Sequence, residues 1–445
     1  MVYLKKRTII ICVVLAVVVI GLLAWGLFPT NTLKPIDSEA TPPTNNVGDI
    51  DMYQVATKSW ANGKWLGDID KESITTIAFT NQAFKDVEAN KAWEYDGLKF
   101  ALNQDTITIY VPAGIKMQGS LHGAFQDMTN LKSITGFAYF DTSECTEMSS
   151  MFANCVNLIA VDAPNLKTDN VLTANKMFFN CKALEHIDLT KCNMQNVIDM
   201  SEMFYGCEKA KNIGLPKTKD VTTLKRAFSK IGTNDSYTLL IGTLNTPNCT
   251  DMSEMFAHSM IQNYTIAETF DTTSLKTAKS MFESCGLGAI DLSQWKTSNL
   301  ETTERMFYDN MWCSTINVST WDVPKLENTS LMFYYCSRLK DLELNWTNAR
   351  SITNTTEMFK SCYSLNTLYL TGLNNIKIGN TGHMFESCSN LKTIYCDSIQ
   401  SDVSYYMFTG CVSLQGAVAY DANKITGEMA NTNGYFTPLN SAPNT

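Results

Sequence analysis

Phenylalanine returns along this chain at a nearly fixed interval: positions 125, 152, 178, 204, 228, 256, 282, 307, 333, 359, 385 and 408. The eleven gaps run from 23 to 28 residues, and six of them are 26. Ten of these Phe follow a Met, from Met151 to Met407, while Ala124 and Ala227 stand in at the other two. A period of this length belongs to a solenoid, in which each repeat covers its apolar face only by stacking on its neighbours. Such proteins are usually extended binding surfaces rather than enzymes.

The N-terminus is different in kind. Lys5, Lys6 and Arg7 precede an uncharged apolar run from Ile9 to Phe28, which as a helix would be about 30 Å long and would cross a bilayer. The basic flank predicts that this end stays in the cytoplasm while the rest is exported. The run is longer than a signal-peptide core and no A-x-A site follows it, so an uncleaved signal anchor is expected over 1–28. Pro29, Pro35, Pro42 and Pro43 among Thr, Asn and Ser make 29–48 an extended linker. Without Lys5, Lys6 and Arg7 the 35 basic residues fall to 32 against 44 acidic ones, a net charge of −12. Such a balance argues against nucleic acid as a partner.

Within one repeat, Met200, Met203, Phe204 and Cys207 fall at i, i+3, i+4 and i+7, the stripe of a short helix. Asp199 sits where an N-cap belongs and Glu202 completes a capping box. The same offset holds Thr173, Thr223, Asp251, Thr277, Thr302, Asn328, Asn354 and Asn380. A period-two segment follows: in Leu184 to Leu189, Ile187 and Leu189 point one way, His186 and Asp188 the other. Strands recurring once per turn stack as a parallel sheet, about 4.8 Å apart. The expected fold is therefore α/β: a leucine-rich-repeat-like solenoid with a short helix and a parallel strand per repeat of about 26 residues.

These residues resemble the BspA-type leucine-rich-repeat surface proteins, whose units read like MSxMFxxCxxLxxIDLSxWDTSNVTD. The pattern appears as Met148-Ser149-Ser150-Met151-Phe152 with Cys155 and Leu158, and again as Ile290-Asp291-Leu292-Ser293-Gln294-Trp295-Lys296-Thr297-Ser298-Asn299. Tyr420-Asp421 through Gly434-Tyr435-Phe436-Thr437 looks like the segment that ends many members, and 73–120 resembles the region preceding their repeats. The expected organisation is then an anchor over 1–28, a linker over 29–48, a β-rich cap over 49–120, about twelve repeats over 121–418, and a C-terminal cap and tail over 419–445. The resemblance implies a bacterial surface location and a role in adhesion or protein binding; it implies no particular ligand. The repeats around Phe228 and Phe256 are degenerate, with Ile231 and Ser259 in the Cys position. We read 229–265 as a tolerated defect rather than a ligand contact.

Eight of the fourteen cysteines stand three residues after a repeat Phe, a column inside the stack, with Met128, Ile231, Ser259 and Asn310 filling the slot elsewhere. Free buried thiols are expected in the column, while one or two pairs among the off-column Cys145, Cys192, Cys249, Cys313 and Cys396 stay open. No C-x-x-C occurs and His122, His186, His258 and His383 share no ligand spacing, so no metal or other cofactor is expected. No catalytic motif is present and the chain is not expected to be an enzyme. Trp295, Trp321 and Trp346 recur at nearly the repeat spacing, with Phe140 and Phe270 at the equivalent place. An exposed ladder of them would stack on sugar rings; covering the core edge is the expected role.

A binding face, if there is one, is expected on the outward side of the strands, which is flat and free of packing duty. Its residues are Asp162, His186, Asp188, Asn212, Asp291, Thr315, Asn317, Asp341, Glu343, Thr367, Tyr369, Thr393 and Tyr395. Tyr gives large contact area at low entropic cost. The functional expectation is a membrane-anchored extracellular protein that binds a protein or glycoprotein through this face. A glycan-binding surface module and a passive envelope spacer are the alternatives.

Overall fold

The computed structural model describes residues 73–80, 91–95, 98–103, 105–110, 116–139, 141–161, 166–234 and 237–442. They belong to one compact unit, Asn46–Thr445. The expected anchor and linker lie outside the described residues, as do parts of 49–120, Phe140 and Asp162. Among the described residues no helix is long and apolar enough to cross a membrane.

The chain is a parallel β-solenoid. Its front ladder is made of short strands, one per coil: Ser133–Thr135, Ala160–Val161, His186–Asp188, Asn212–Gly214 and Leu239–Ile241, then Ala289–Asp291 with Thr315–Asn317, then Asp341–Glu343, Thr367–Tyr369 and Thr393–Tyr395. Each strand aims its middle side chain inward, as with Ile187, Ile290, Ile316, Leu342, Leu368 and Ile394, all buried. At the N-terminal end the ladder continues through Thr76–Thr80, which pairs in parallel with both Ser133–Thr135 and Thr106–Tyr110. Leu98–Asn103 and Lys91–Tyr95 add antiparallel strands beyond it. Gly136 is required at this junction: its φ is +78°, and a Cβ there would lie 2.2 Å from the Phe79 carbonyl oxygen.

The expected helix is absent. Among the described residues the regular elements are strands and 3₁₀ turns, and the Met-Phe segment is a tight turn in every coil. Its backbone bonds run to the next coil instead of four residues back: the Phe204 N–H donates to the Ala227 carbonyl at 2.9 Å, and the Phe307 N–H to that of Met332 at 2.9 Å. Eleven such bonds link the twelve Phe coils, each 2.8 or 2.9 Å long. The local reason lies two residues to either side of each Phe. Both positions are left-handed in all twelve coils, as at Lys176 and Asn180 (φ 55° and 58°) or Glu202 and Gly206 (56° and 73°). An α-helix cannot contain such residues. The presumed N-cap residues keep their side-chain chemistry in a different geometry. Asp199 accepts from the Ser201 N–H at 2.8 Å and Asn328 from that of Ser330 at 3.0 Å, while their backbones form one-residue parallel bridges from coil to coil.

The core is a set of columns. The twelve Phe rings are buried and stack in sequence, with centroids 5.2–5.8 Å apart and planes within 18°. Offset stacking of this kind adds about 0.5–1.5 kcal/mol per pair beyond burial. Beside them runs the cysteine column. Seven of its thiols donate to the carbonyl of the Phe one coil earlier, from Cys155 to Phe125 (2.9 Å) through Cys411 to Phe385 (2.9 Å). The thirteen described cysteines are buried, including Cys145, Cys192, Cys249, Cys313 and Cys396 off the column.

One coil breaks the front ladder. The coil of Phe256 carries a 3₁₀ helix, Tyr264–Thr269, where its neighbours carry a strand. The Glu268 carboxylate accepts from the Asp291 N–H at 3.2 Å, a side chain replacing a missing strand carbonyl. Phe256 itself stays in the stack, so the disturbance is confined to the front. At the C-terminal end, Thr437 bridges Tyr395 and exchanges backbone bonds with Ile394 and Cys396, which seats the closing segment on the last strand.

Candidate binding face

Strand geometry puts residues i and i+2 on one side, and parallel register then turns single residues into columns. One column holds His186 beside Asn212, Thr315 in a later block, and Asp341, Thr367 and Thr393 in register. The other holds Asp188, then Asp291 beside Asn317, then Glu343, Tyr369 and Tyr395. All twelve of these side chains are exposed or half-buried; the thirteenth expected residue, Asp162, lies outside the described residues. The columns form three hydrogen-bonded blocks: the 3₁₀ helix separates Ile241 from Ala289, and Thr315–Asn317 is not paired with Asp341–Glu343.

Freedom from structural duty holds for only part of this set. Asp188 accepts from the N–H and hydroxyl of Thr190 at 2.9 and 2.6 Å. Asn317 does the same for Ser319 at 3.2 and 2.8 Å, and Asp291 accepts from the Ser293 N–H at 2.9 Å. Bonds from the Ser293 hydroxyl and N–H hold the Asp291 carboxyl below its ordinary range. These three residues end their strands with Asx turns, so they shape the corner of the coil. Glu343 is engaged too, by the Asn345 amide at 3.2 Å.

Tyr369 and Tyr395 carry the largest contact area on this face. Their rings stack at 4.8 Å with planes 16° apart. Burial first, then Tyr395 and the charges of Glu343 and Asp341, push the Tyr369 phenol above its ordinary value. It therefore stays a neutral donor throughout the physiological range.

The tryptophan column faces inward. Trp295, Trp321 and Trp346 are buried and stacked, and their indole N–H groups donate to the carbonyls of Ala267, Leu292 and Val318 at 2.8, 2.9 and 2.8 Å. They cover the core edge and offer no ring to a sugar.

Sequence reasoning missed a second aromatic surface beside the Met-Phe turns. The Arg305 guanidinium lies 3.7 Å from the Tyr308 centroid, Tyr308 stacks on Tyr334 at 4.7 Å, and Tyr335 meets Tyr363 edge-on. In the same coils Arg338 lies 4.1 Å over Trp312, which is 59% exposed. The signal was available in Tyr308 and Tyr334, one residue after consecutive repeat Phe. Among the described residues no group of His, Cys, Asp or Glu is placed to hold a metal ion.

A family profile described as "Mycoplasma protein of unknown function, DUF285" matches residues 119–239, 224–342 and 308–421. Those matches fall on the repeats that carry the resemblance to BspA-type leucine-rich-repeat surface proteins. Similar solved structures include a leucine-rich repeat protein from Bacteroides ovatus, at 17% identity and a TM-score of 0.36 over 77% of this chain and 86% of that one. A leucine rich cell surface protein from Faecalibacterium prausnitzii follows at 16% identity and a TM-score of 0.32, over 74% and 94%. A leucine-rich repeat protein from Eubacterium ventriosum has 15% identity and a TM-score of 0.33, over 74% and 96%. No curated protein matches the sequence.

Proposed function

The chain belongs to the DUF285 family of Mycoplasma proteins of unknown function, and from that premise we propose that it is a leucine-rich-repeat surface protein that binds an extracellular protein or glycoprotein. The activity in this reading is binding and not catalysis. Anchoring through residues 9–28 would keep the repeats outside the cell.

The observation that carries the reading is the Tyr369–Tyr395 pair, a half-buried stacked platform in register with Thr367 and Thr393 and flanked by Asp341 and Glu343. Tyr-rich patches of this kind supply interface hot spots because a rigid ring buries area while its hydroxyl finds a polar partner. The Arg305, Tyr308, Trp312, Tyr334 and Arg338 surface has hot-spot composition as well and supports a second contact patch.

The full-length protein, reconstituted or in detergent, is screened against an array of extracellular-matrix proteins. A hit weakened at least tenfold by the Tyr369→Ala/Tyr395→Ala double variant supports the strand face. A hit that survives it but is lost with Trp312→Ala moves the site to the turn surface. Silence of the native protein across a broad array favours the passive spacer.

A further inference from the structure

From the break in the front ladder we infer a binding site for a neutral saccharide. Where the coil of Phe256 substitutes a 3₁₀ helix for a strand, a notch of 390 Å³ opens between the strands Leu239–Ile241 and Ala289–Asp291. That volume is within the range of small-ligand sites, and the 3₁₀ helix occupies the gap that an added peptide strand would need.

The chemistry of the lining selects the class of ligand. Tyr237 stands at the rim, 58% exposed, and offers a flat ring. Gln262 and Asn263 bring side-chain amides, and amides both donate and accept, as sugar hydroxyls do; the Asn263 oxygen already accepts from the Thr265 N–H at 3.0 Å, which leaves its NH₂ group as the donor. Gly286 and Gly288 add backbone to the lining, with the Met260 sulfur and the Tyr237 ring against Gly286 and open space at Gly288. The floor is the Tyr264 ring, held in place because its hydroxyl donates to the Ser259 carbonyl at 2.9 Å inside the core. Among the described residues no charged side chain lines the notch. A ring with one apolar face and several hydroxyls matches the aromatic rim and the amides.

The inference stands apart from the strand-face reading, since none of the notch residues belongs to the expected face. It also gives the degenerate coil a use, where the sequence suggested only a tolerated defect.

Gly288 provides the test. A Cβ built there meets nothing within 4 Å, and the residue is not left-handed, so a larger side chain projects into open space without strain. The full-length protein is titrated by calorimetry and saturation-transfer NMR with methyl glycosides of neutral hexoses and N-acetylhexosamines and with their disaccharides. The expected result is saturable binding of at least one of these, weakened tenfold or more by Gly288→Leu and by Tyr237→Ala, and unchanged by Tyr369→Ala/Tyr395→Ala. Should Gly288→Leu unfold, the exposed Tyr237 variant decides alone. Absence of binding by every neutral sugar, or binding that survives both notch variants, would overturn the assignment.

Discussion

The side-chain amide of Asn310 donates to the Phe282 carbonyl oxygen at 2.6 Å, in the slot where seven other coils place a cysteine thiol on the preceding Phe carbonyl. The column is therefore defined by a hydrogen-bond requirement as well as by size. A buried carbonyl left without its donor costs free energy, and thiol and amide answer the same need.

Asn310→Ala is accordingly expected to destabilise the protein by about 1–3 kcal/mol, whereas Asn310→Cys recovers most of the loss because it restores the column's usual donor. Denaturant unfolding of both variants measures this. Equal losses for Ala and Cys would mean that the slot is read by volume alone.

The left-handed positions make a second prediction. Leu331 has φ 58° and Gly206 has φ 73°. Left-handed geometry costs an L-residue about 1–2 kcal/mol, partly offset by the entropy a glycine loses on folding. Leu331→Gly is expected to stabilise by roughly 0.5 kcal/mol and Gly206→Val to destabilise by about 1–2 kcal/mol. Thermal shifts of the same sign for both would refute the backbone argument.

The thiols give a third. Burial pushes Cys362 and Cys411 up to about 12, and Cys181, Cys336 and Cys388 also rise well above the ordinary value. Because the thiolate is the reactive form, column cysteines in the native protein are expected to resist iodoacetamide at pH 8 for as long as the protein stays folded, and to react together in denaturant. Peptide mapping by mass spectrometry reads the outcome; rapid native labelling at Cys362 would contradict the column.

Acid stability gives a fourth. Burial pulls the Glu283 carboxyl upward, but the bidentate Arg305 guanidinium, at 2.6 and 3.0 Å, and Ser280 outweigh it, so the carboxyl lies below its ordinary value. A depressed carboxyl contributes stability that is present above its unfolded value and lost as pH falls through the folded one. Glu283→Gln is therefore expected to cost about 1–3 kcal/mol at pH 7, with the native and variant stabilities converging as pH falls through the lowered folded-state value. A difference that persists undiminished across the acid range would assign the loss to packing instead.

The period, the interior columns and the outward strand residues were legible because each depends on a spacing that recurs. The turn was not. Met200, Met203, Phe204 and Cys207 satisfy a helical stripe, yet a tight turn flanked by two left-handed residues buries the same four side chains. Its signal was diluted: Gly123, Asn154, Asn180, Gly206, Asp309 and Gly410 advertise left-handed backbone, but Lys176, Arg226, Leu331 and Tyr335 occupy equivalent positions without doing so. On the candidate face, Asp188, Asp291 and Asn317 looked free because an Asx turn is formed with the residue two ahead, which alternation alone does not reveal. The 3₁₀ helix was foreshadowed by Ser259 in the cysteine slot of its own coil, whose carbonyl accepts from the Tyr264 hydroxyl; the 28-residue gap falls in the coil before it.

The coil of Phe256 exchanges its strand for a helix while its ring and its Met281 hydrogen bond keep their places. The two sides of a coil are thus separable: the Met-Phe side carries cohesion and the front tolerates replacement. A duplicated or deleted coil would leave each surviving junction of the same kind, so the length of the molecule and the chemistry of its front can diverge among relatives independently of the spine that holds it together.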